Sequence, residues 1–278
     1  MTKVPSKVSD RITSGIKRFQ PILATAKTRD VGESDTVTIV VDMLADIFGY
    51  DKYSEITSEH AIRGTYCDLA TKIDGVLQML IEVKAIGLDL KESHVKQAID
   101  YAANQGVDWV VLTNGITWRI YKVTFAKPIG QELVLEIDFG GLSNRNSKDI
   151  ELLYLFCKEG WIKSVLGDFH TQKQALSRFF LSALIVSGPI LQVLRRELKR
   201  LSPDVRVETD EILAVLTADV LKREVTEGDQ AKEAARKIAR AAGKTLRSKK
   251  TADASAPGLL ADDASDAPVL EAVGPNGP

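Results

Sequence analysis

Tyr66-Cys-Asp-Leu-Ala70, followed by Met79-Leu-Ile-Glu-Val-Lys-Ala85, is the stretch that decides the fold. Asp68 is separated by thirteen residues from Glu82-Val83-Lys84. Cys67 to Ile73 reads as one strand, Gly75 as part of a turn, and Val76 to Val83 as the next strand. A hairpin of this kind brings Asp68 and Glu82 near each other. Glu82 and Lys84 are two apart and project from one face. Two carboxylates at one point suit a hard divalent cation such as magnesium. A neighbouring lysine can orient or deprotonate a water held there, which is the chemistry of phosphodiester hydrolysis. Leu77, Met79, Leu80 and Ile81 keep the strand apolar up to Glu82. A charged pair at the end of a buried strand needs a partner or a metal. Taken alone, E-x-K also fits a solvated strand face, and Asp at a strand start fits a turn former.

Lys91 to Asn104 reads as a helix, with Val95, Ile99 and Ala102 at helical spacing. Gln97 and Tyr101 are four apart and share a face, which also suits an ordinary amphipathic helix. Upstream, residues 32–51 read as a helix that opens near Glu33 and ends at Phe48-Gly49-Tyr50-Asp51, with Gly49 as C-cap. Downstream, Val107 to Val123 reads as two apolar strands joined by a tight Asn114-Gly115 turn.

Together, D…E-x-K and the helix carrying Q-x-x-x-Y resemble the PD-(D/E)xK nuclease superfamily. More narrowly, residues 33–137 resemble the N-terminal nuclease domain of type I restriction endonuclease motor (R) subunits. The proline that gives the superfamily its name is absent, and Cys67 stands before Asp68. The resemblance implies an α/β fold: a restriction-endonuclease-like mixed central sheet flanked by helices. It also implies roles. Asp68 and Glu82 would bind Mg2+ or Mn2+, with the Val83 carbonyl as a further ligand. Lys84 would position the attacking water and steady developing charge. Glu33 would reach the metal shell or a second cation, although an acid at a helix start also complements the helix dipole. Gln97 and Tyr101 would hold the site's geometry and touch DNA. The expected activity is a metal-dependent endodeoxyribonuclease that leaves 5′-phosphate and 3′-hydroxyl ends, in restriction of foreign DNA. A repair or recombination nuclease, or a non-catalytic or partner-dependent nucleic-acid-binding protein on the same fold, is the alternative.

Composition is that of an ordinary globular chain, with 44% hydrophobic and 27% charged residues among 278. Cys67 and Cys157 make no disulfide framework, and His60, His94 and His170 are scattered, which gives surface residues rather than metal ligands. The start Met1-Thr-Lys-Val-Pro-Ser-Lys lacks a signal peptide's apolar core, and the apolar run from Phe179 to Leu191 is interrupted. These features give a cytoplasmic protein with no membrane role.

Residues 1–32 form a basic segment with a short helix from Val8 to Phe19, and 33–140 the nuclease-like domain. A linker covers Gly140 to Ser147. Residues 150–225 form a helical extension, with helices ending near Gly160 and spanning Gln172–Val186, Pro189–Leu201 and Glu208–Leu221, the last capped by Thr209 or Asp210. Residues 226–250 form a basic helix, and 251–278, with four prolines and five acids, a disordered acidic tail. Residues 221–250 carry ten Lys or Arg against four acids, which fits either phosphate contacts or a solvated helix face. Ala241-Ala-Gly-Lys-Thr245 lacks the first glycine of a Walker motif. The chain is therefore expected to act alone or with separate motor or specificity subunits. The apolar helices after Ile150 suit a homodimer.

Overall fold

The computed structural model describes residues 3–62, 65–125 and 128–253, with side chains left out at 59–62, 65–66 and 242–253. Two compact units divide the chain, 1–174 and 175–278.

The first unit is built on a six-stranded sheet in sequential order: β1 (Ile56–Ile62), β2 (Thr65–Ile73), β3 (Val76–Val83), β4 (Trp109–Thr113), β5 (Thr117–Thr124) and β6 (Gly130–Asp138). All neighbours are antiparallel except β3 and β4, which run parallel. The α/β reading, a mixed sheet flanked by helices with a helical C-terminal region, is borne out. β1 was not anticipated from the sequence. From 254 onward the expected disordered tail lies outside the described residues.

Helices cover both faces. On one, α1 (Ser6–Thr28) and α2 (Glu33–Asp46) share a core with Leu69, Ile81, Val83 and Val111. On the other, α3 (Lys96–Gln105) brings Val95, Ala98, Ile99 and Ala102 against Ala70, Leu80, Val110 and Leu112. β4 and the stretch of β3 from Met79 to Ile81 are thus buried on both sides. This explains why they read as continuous apolar runs rather than alternating ones.

Local chemistry fixes the connections. Asp74 (φ +52) and Gly75 (φ +77) form a two-residue turn with both central residues left-handed, and Ile73 pairs with Val76 across it. α1 runs nine residues past its expected end because its apolar stripe of Val8, Ile12, Ile16 and Phe19 continues to Leu23 and Ala26. Pro21 inside the helix does not end it. Gly49 (φ +80) follows α2, as the C-cap reading required.

The first unit also reaches beyond the linker expected at 140–147. α4 (Ser147–Tyr154), α5 (Lys158–Ile162) and most of α6 (Val165–Ala175) belong to it. One helix to Gly160 was expected, but the chain turns between α4 and α5. Leu153, Tyr154, Leu155, Phe156 and Cys157 are all buried, and no helix face can bury five consecutive residues.

The second unit is helical: α7 (Arg178–Ile185), α8 (Gly188–Leu201), α9 (Thr209–Val215), α10 (Arg223–Thr226) and α11 (Asp229–Asp253). The helix expected over 172–186 is divided because the Ser177 side chain caps α7, accepting from Phe180 N at 3.2 Å. α9 is capped by Glu208 rather than Thr209 or Asp210, in a reciprocal arrangement with Glu211. Among the described residues no single helix is long and apolar enough to cross a membrane; α7 and α8 together pass by length and composition, bent by 61°.

Arg11 ties three elements together. Its Nε donates to the Ile47 carbonyl at the end of α2 (2.9 Å), and its two terminal nitrogens grip Glu159 at 2.8 and 2.7 Å. The guanidinium hydrogen bond holds the Glu159 carboxyl below the usual carboxylate range. A depressed folded-state value means that this stabilisation is present at neutral pH and lost as pH falls through it. Glu159→Gln should therefore cost about 0.5 kcal/mol at pH 7, a figure discounted for solvent screening. Urea titrations at pH 7 and near pH 3 test this: the two proteins should differ at neutral pH and converge in acid.

Candidate active site

β3 ends at Val83, deep between two helical layers, with Glu82 just inside the strand and Lys84 just past it. The antiparallel register pairs Leu69 with Ile81 and Ala70 with Leu80. Continued by one step, it sets Asp68 opposite Glu82. The Asp68 carboxylate accepts the backbone N–H of Val83 at 2.7 Å. That bond fixes the acid on β2 against the strand that carries its partner.

Lys84 follows immediately. Its backbone N–H donates to the Thr113 carbonyl at 2.8 Å, prolonging the parallel pairing of β3 with β4. Its ammonium meets Glu82 at 2.7 Å and Glu33 at 3.4 Å. Glu33 opens α2, so the helix start delivers a carboxylate to the strand end. The Lys84 and Glu82 side chains are only 17% and 15% exposed, so this is a half-desolvated pair and not a surface one.

The electrostatics follow from that burial. Desolvation pushes Glu82 above the usual carboxylate range. The bond from Lys84 opposes this, and the charges of Asp68 and Glu33 reinforce it. For Lys84 desolvation pulls downward, but the Glu82 bond and the charges of Glu82, Asp68 and Glu33 outweigh it, and the value rises. Lys84 is therefore held as a cation, which suits charge stabilisation better than proton abstraction.

Among the described residues, no three His, Cys, Asp or Glu side chains stand close enough to hold a metal as a group. The oxygen set available is smaller: the Asp68 and Glu82 carboxylates and the Val83 carbonyl. These are hard donors of the kind that magnesium and manganese take, and a divalent charge would relieve the penalty on Glu82.

Gln97 and Tyr101 lie on α3 as expected, where they line a groove of about 360 Å³ with Ser93, Lys96, Asp100 and Asn104. Glu33, Asp68, Glu82 and Lys84 do not line that groove. Gln97 is exposed; Tyr101 is buried, and burial, then the neighbouring Cys67, pushes its hydroxyl up. A larger cavity of about 650 Å³ lies at the starts of β3 and β4, away from Glu82 and Lys84. Its polar groups are internally matched, with Trp161 bonded to Gln78 and Lys122 to Asp108.

Asn114 is a positioning residue that the sequence reading missed. The two strands around Asn114-Gly115 form as expected, but the turn is wider than two residues, and only Gly115 (φ +82) is left-handed. The reason is the Asn114 side chain. Its Oδ1 accepts from Ile116 N and Thr117 N (3.1 and 2.8 Å). Its Nδ2 donates to the Ile86 and Leu88 carbonyls (3.4 and 3.0 Å). It clamps the segment that follows Lys84. A turn-forming Asn carries no sequence signal for such a distant use.

Residues 38–135 match the family model of the type I restriction enzyme R protein N terminus. The R protein resemblance drawn from the motifs is borne out over those residues, about a third of the chain. Asp68, Glu82, Lys84, Gln97 and Tyr101 fall inside the R protein match, and Glu33 falls just before it. No curated protein and no solved structure matches the chain.

One measurement follows from this geometry. Cys67, in the superfamily proline's place, is fully buried, with Sγ within 3.2 Å of the Ile81 carbonyl. Burial, then Glu82 and Asp68, pushes its thiol up to about 12, and burial does the same for Cys157. Native protein should leave a disulfide thiol reagent unreacted at pH 8, and denatured protein should react at two thiols.

Proposed function

We propose that the chain is a Mg2+- or Mn2+-dependent deoxyribonuclease, acting as an endonuclease in the restriction of foreign DNA in the cytoplasm. The observation that carries this reading is the Glu33–Lys84–Glu82 cluster at the end of the buried stretch of β3, with Asp68 bonded across to Val83. The match to the R protein N terminus supports the restriction setting and implies DNA and separate subunits as partners.

Asp68, Glu82 and the Val83 carbonyl would hold the metal, with Glu33 at its margin. When bound, the cation supplies Lewis-acid charge at the scissile phosphate. Lys84, kept protonated by three carboxylates, donates hydrogen bonds to the attacking water and to a phosphate oxygen as negative charge builds. Its backbone bond to Thr113 and the Asn114 clamp on the following segment keep that ammonium from swinging away. Water adds to phosphorus in line with the leaving oxygen. The water gives up a proton to solvent, the bond to the 3′-oxygen breaks and that oxygen takes a proton from solvent, so that the products carry a 5′-phosphate and a 3′-hydroxyl. Gln97 and Tyr101 would contact the DNA backbone from α3.

One observation favours a second reading, a DNA-binding module without chemistry: the lack of three converging ligand side chains among the described residues. Supercoiled plasmid, linear duplex and single-stranded DNA incubated with either metal separate the two. Lys84→Ala should lower cleavage by roughly two orders of magnitude or more. The metal should also raise the melting temperature, and Asp68→Ala should remove that rise. DNA binding with neither cleavage nor a metal-dependent shift would establish the module instead.

A further inference from the structure

α11 carries a row of charge that the catalytic reading leaves unused. The helix packs on α7, with Ala231 and Ala234 buried and Ile238 half-buried. Lys232, Arg236 and Arg240 are exposed and four residues apart, which places them along one face. At helical rise they stand about 6 Å apart and span about 12 Å. Ala235 and Ala239, between them, add no bulk.

What sets this row apart is that three cations without an acid stand at helical spacing on one helix; Lys199, Arg206 and Lys222 also make no salt bridge among the described residues but lie on separate segments, and the unit's other described basic residues are paired. Arg195 pairs with Glu208, Arg200 with Glu197, Arg178 with Glu224 and Arg223 with Glu227. Within α11, Lys237 takes Glu233. Among the described residues, Lys232, Arg236 and Arg240 make no salt bridge. Like charges at this spacing weaken a helix, and a facing polyanion reverses the sign of that cost. An anionic membrane is a poor fit, because the apolar side of α11 is already turned to its own unit and nothing remains to enter an acyl layer. A regular row of anions is a good fit. Along about 12 Å, one strand of a DNA duplex presents three or four phosphates.

We propose that Lys232, Arg236 and Arg240 form an anchor for the backbone of duplex DNA, separate from the cleavage residues and indifferent to base sequence. The inference shares the DNA partner with the proposed function but does not use its chemistry.

The test is fluorescence anisotropy of the full chain on a labelled duplex in chelator, between 50 and 200 mM salt. The wild type is compared with a variant carrying Lys232→Gln, Arg236→Gln and Arg240→Gln together. The variant should bind about tenfold more weakly or worse, and its log–log salt slope should flatten by about 2.7, three contacts' worth. A Lys-only version, Arg236→Lys with Arg240→Lys, should restore the slope, because a point charge suffices for phosphate contact. Equal affinity and slope for wild type and the Gln variant overturn the proposal. So does duplex binding too weak to measure in the wild type, or loss of binding to phosphatidylserine vesicles with duplex affinity unchanged. Cleavage that fails while the salt slope still flattens would sink the nuclease reading and leave the anchor standing.

Discussion

The strand β3 is buried through Met79, Leu80 and Ile81, yet Glu82 stands next to its end and Lys84 follows directly. Much of the first unit's architecture serves that mismatch. A carboxylate and an ammonium placed at the end of an apolar strand each lose hydration, and neither tolerates that loss alone. The fold answers by bringing counter-charge and hydrogen bonds from separate elements: Asp68 from β2, Glu33 from the start of α2, and the Thr113 carbonyl from β4. Deleting any one leaves another partly buried group short of a partner.

The parallel pairing of β3 with β4 belongs to the same problem. A hairpin would have returned the chain directly beside Lys84 and left α3 elsewhere. The crossover through α3 instead lays a helix over Ala70, Leu80 and Val110 and brings β4 to its end at Thr113, next to Asn114. Those two residues then secure Lys84 and the segment after it. One connection thus closes the core on one side and stiffens the charged strand end.

How much of this was legible in sequence depends on distance along the chain. The strands flanking Asp74-Gly75, the helix with Gln97 and Tyr101, and Gly49 after α2 rest on local rules: period-two or apolar runs, period-3.6 stripes, and glycine's freedom at positive φ. All of these formed, although the helix expected from Lys91 begins only at Lys96, after a separate 3-10 turn over Glu92–His94. The charged cluster was legible because its members sit within one hairpin plus one helix start. What failed to show was set by long-range packing. Leu155 to Cys157 look helical until five consecutive buried residues force a turn. The helix expected through Leu176 stops because Ser177 prefers to cap. Asn114 reads as a turn former, and nothing local says that its amide reaches back to Ile86 and Leu88. The first unit's extension to Gln174 is likewise invisible, because the residues that fill its core lie beyond a Gly-rich stretch that resembles a linker.

The cluster's protonation argues for a particular division of labour. If Lys84 were flanked by one carboxylate, burial would compete with it, and a neutral amine would be within reach. Three carboxylates settle the contest in favour of the ammonium. Glu82 is pushed the other way, toward holding its proton, by burial and by the same neighbouring acids. A site in which the cation is secure and the anion is strained is short of positive charge, and it is the anions that gain from a divalent ion. The electrostatic stress at the end of β3 and the proposed catalytic need therefore point to the same divalent cation, and in the proposed chemistry the lysine would serve water and phosphate as a fixed donor.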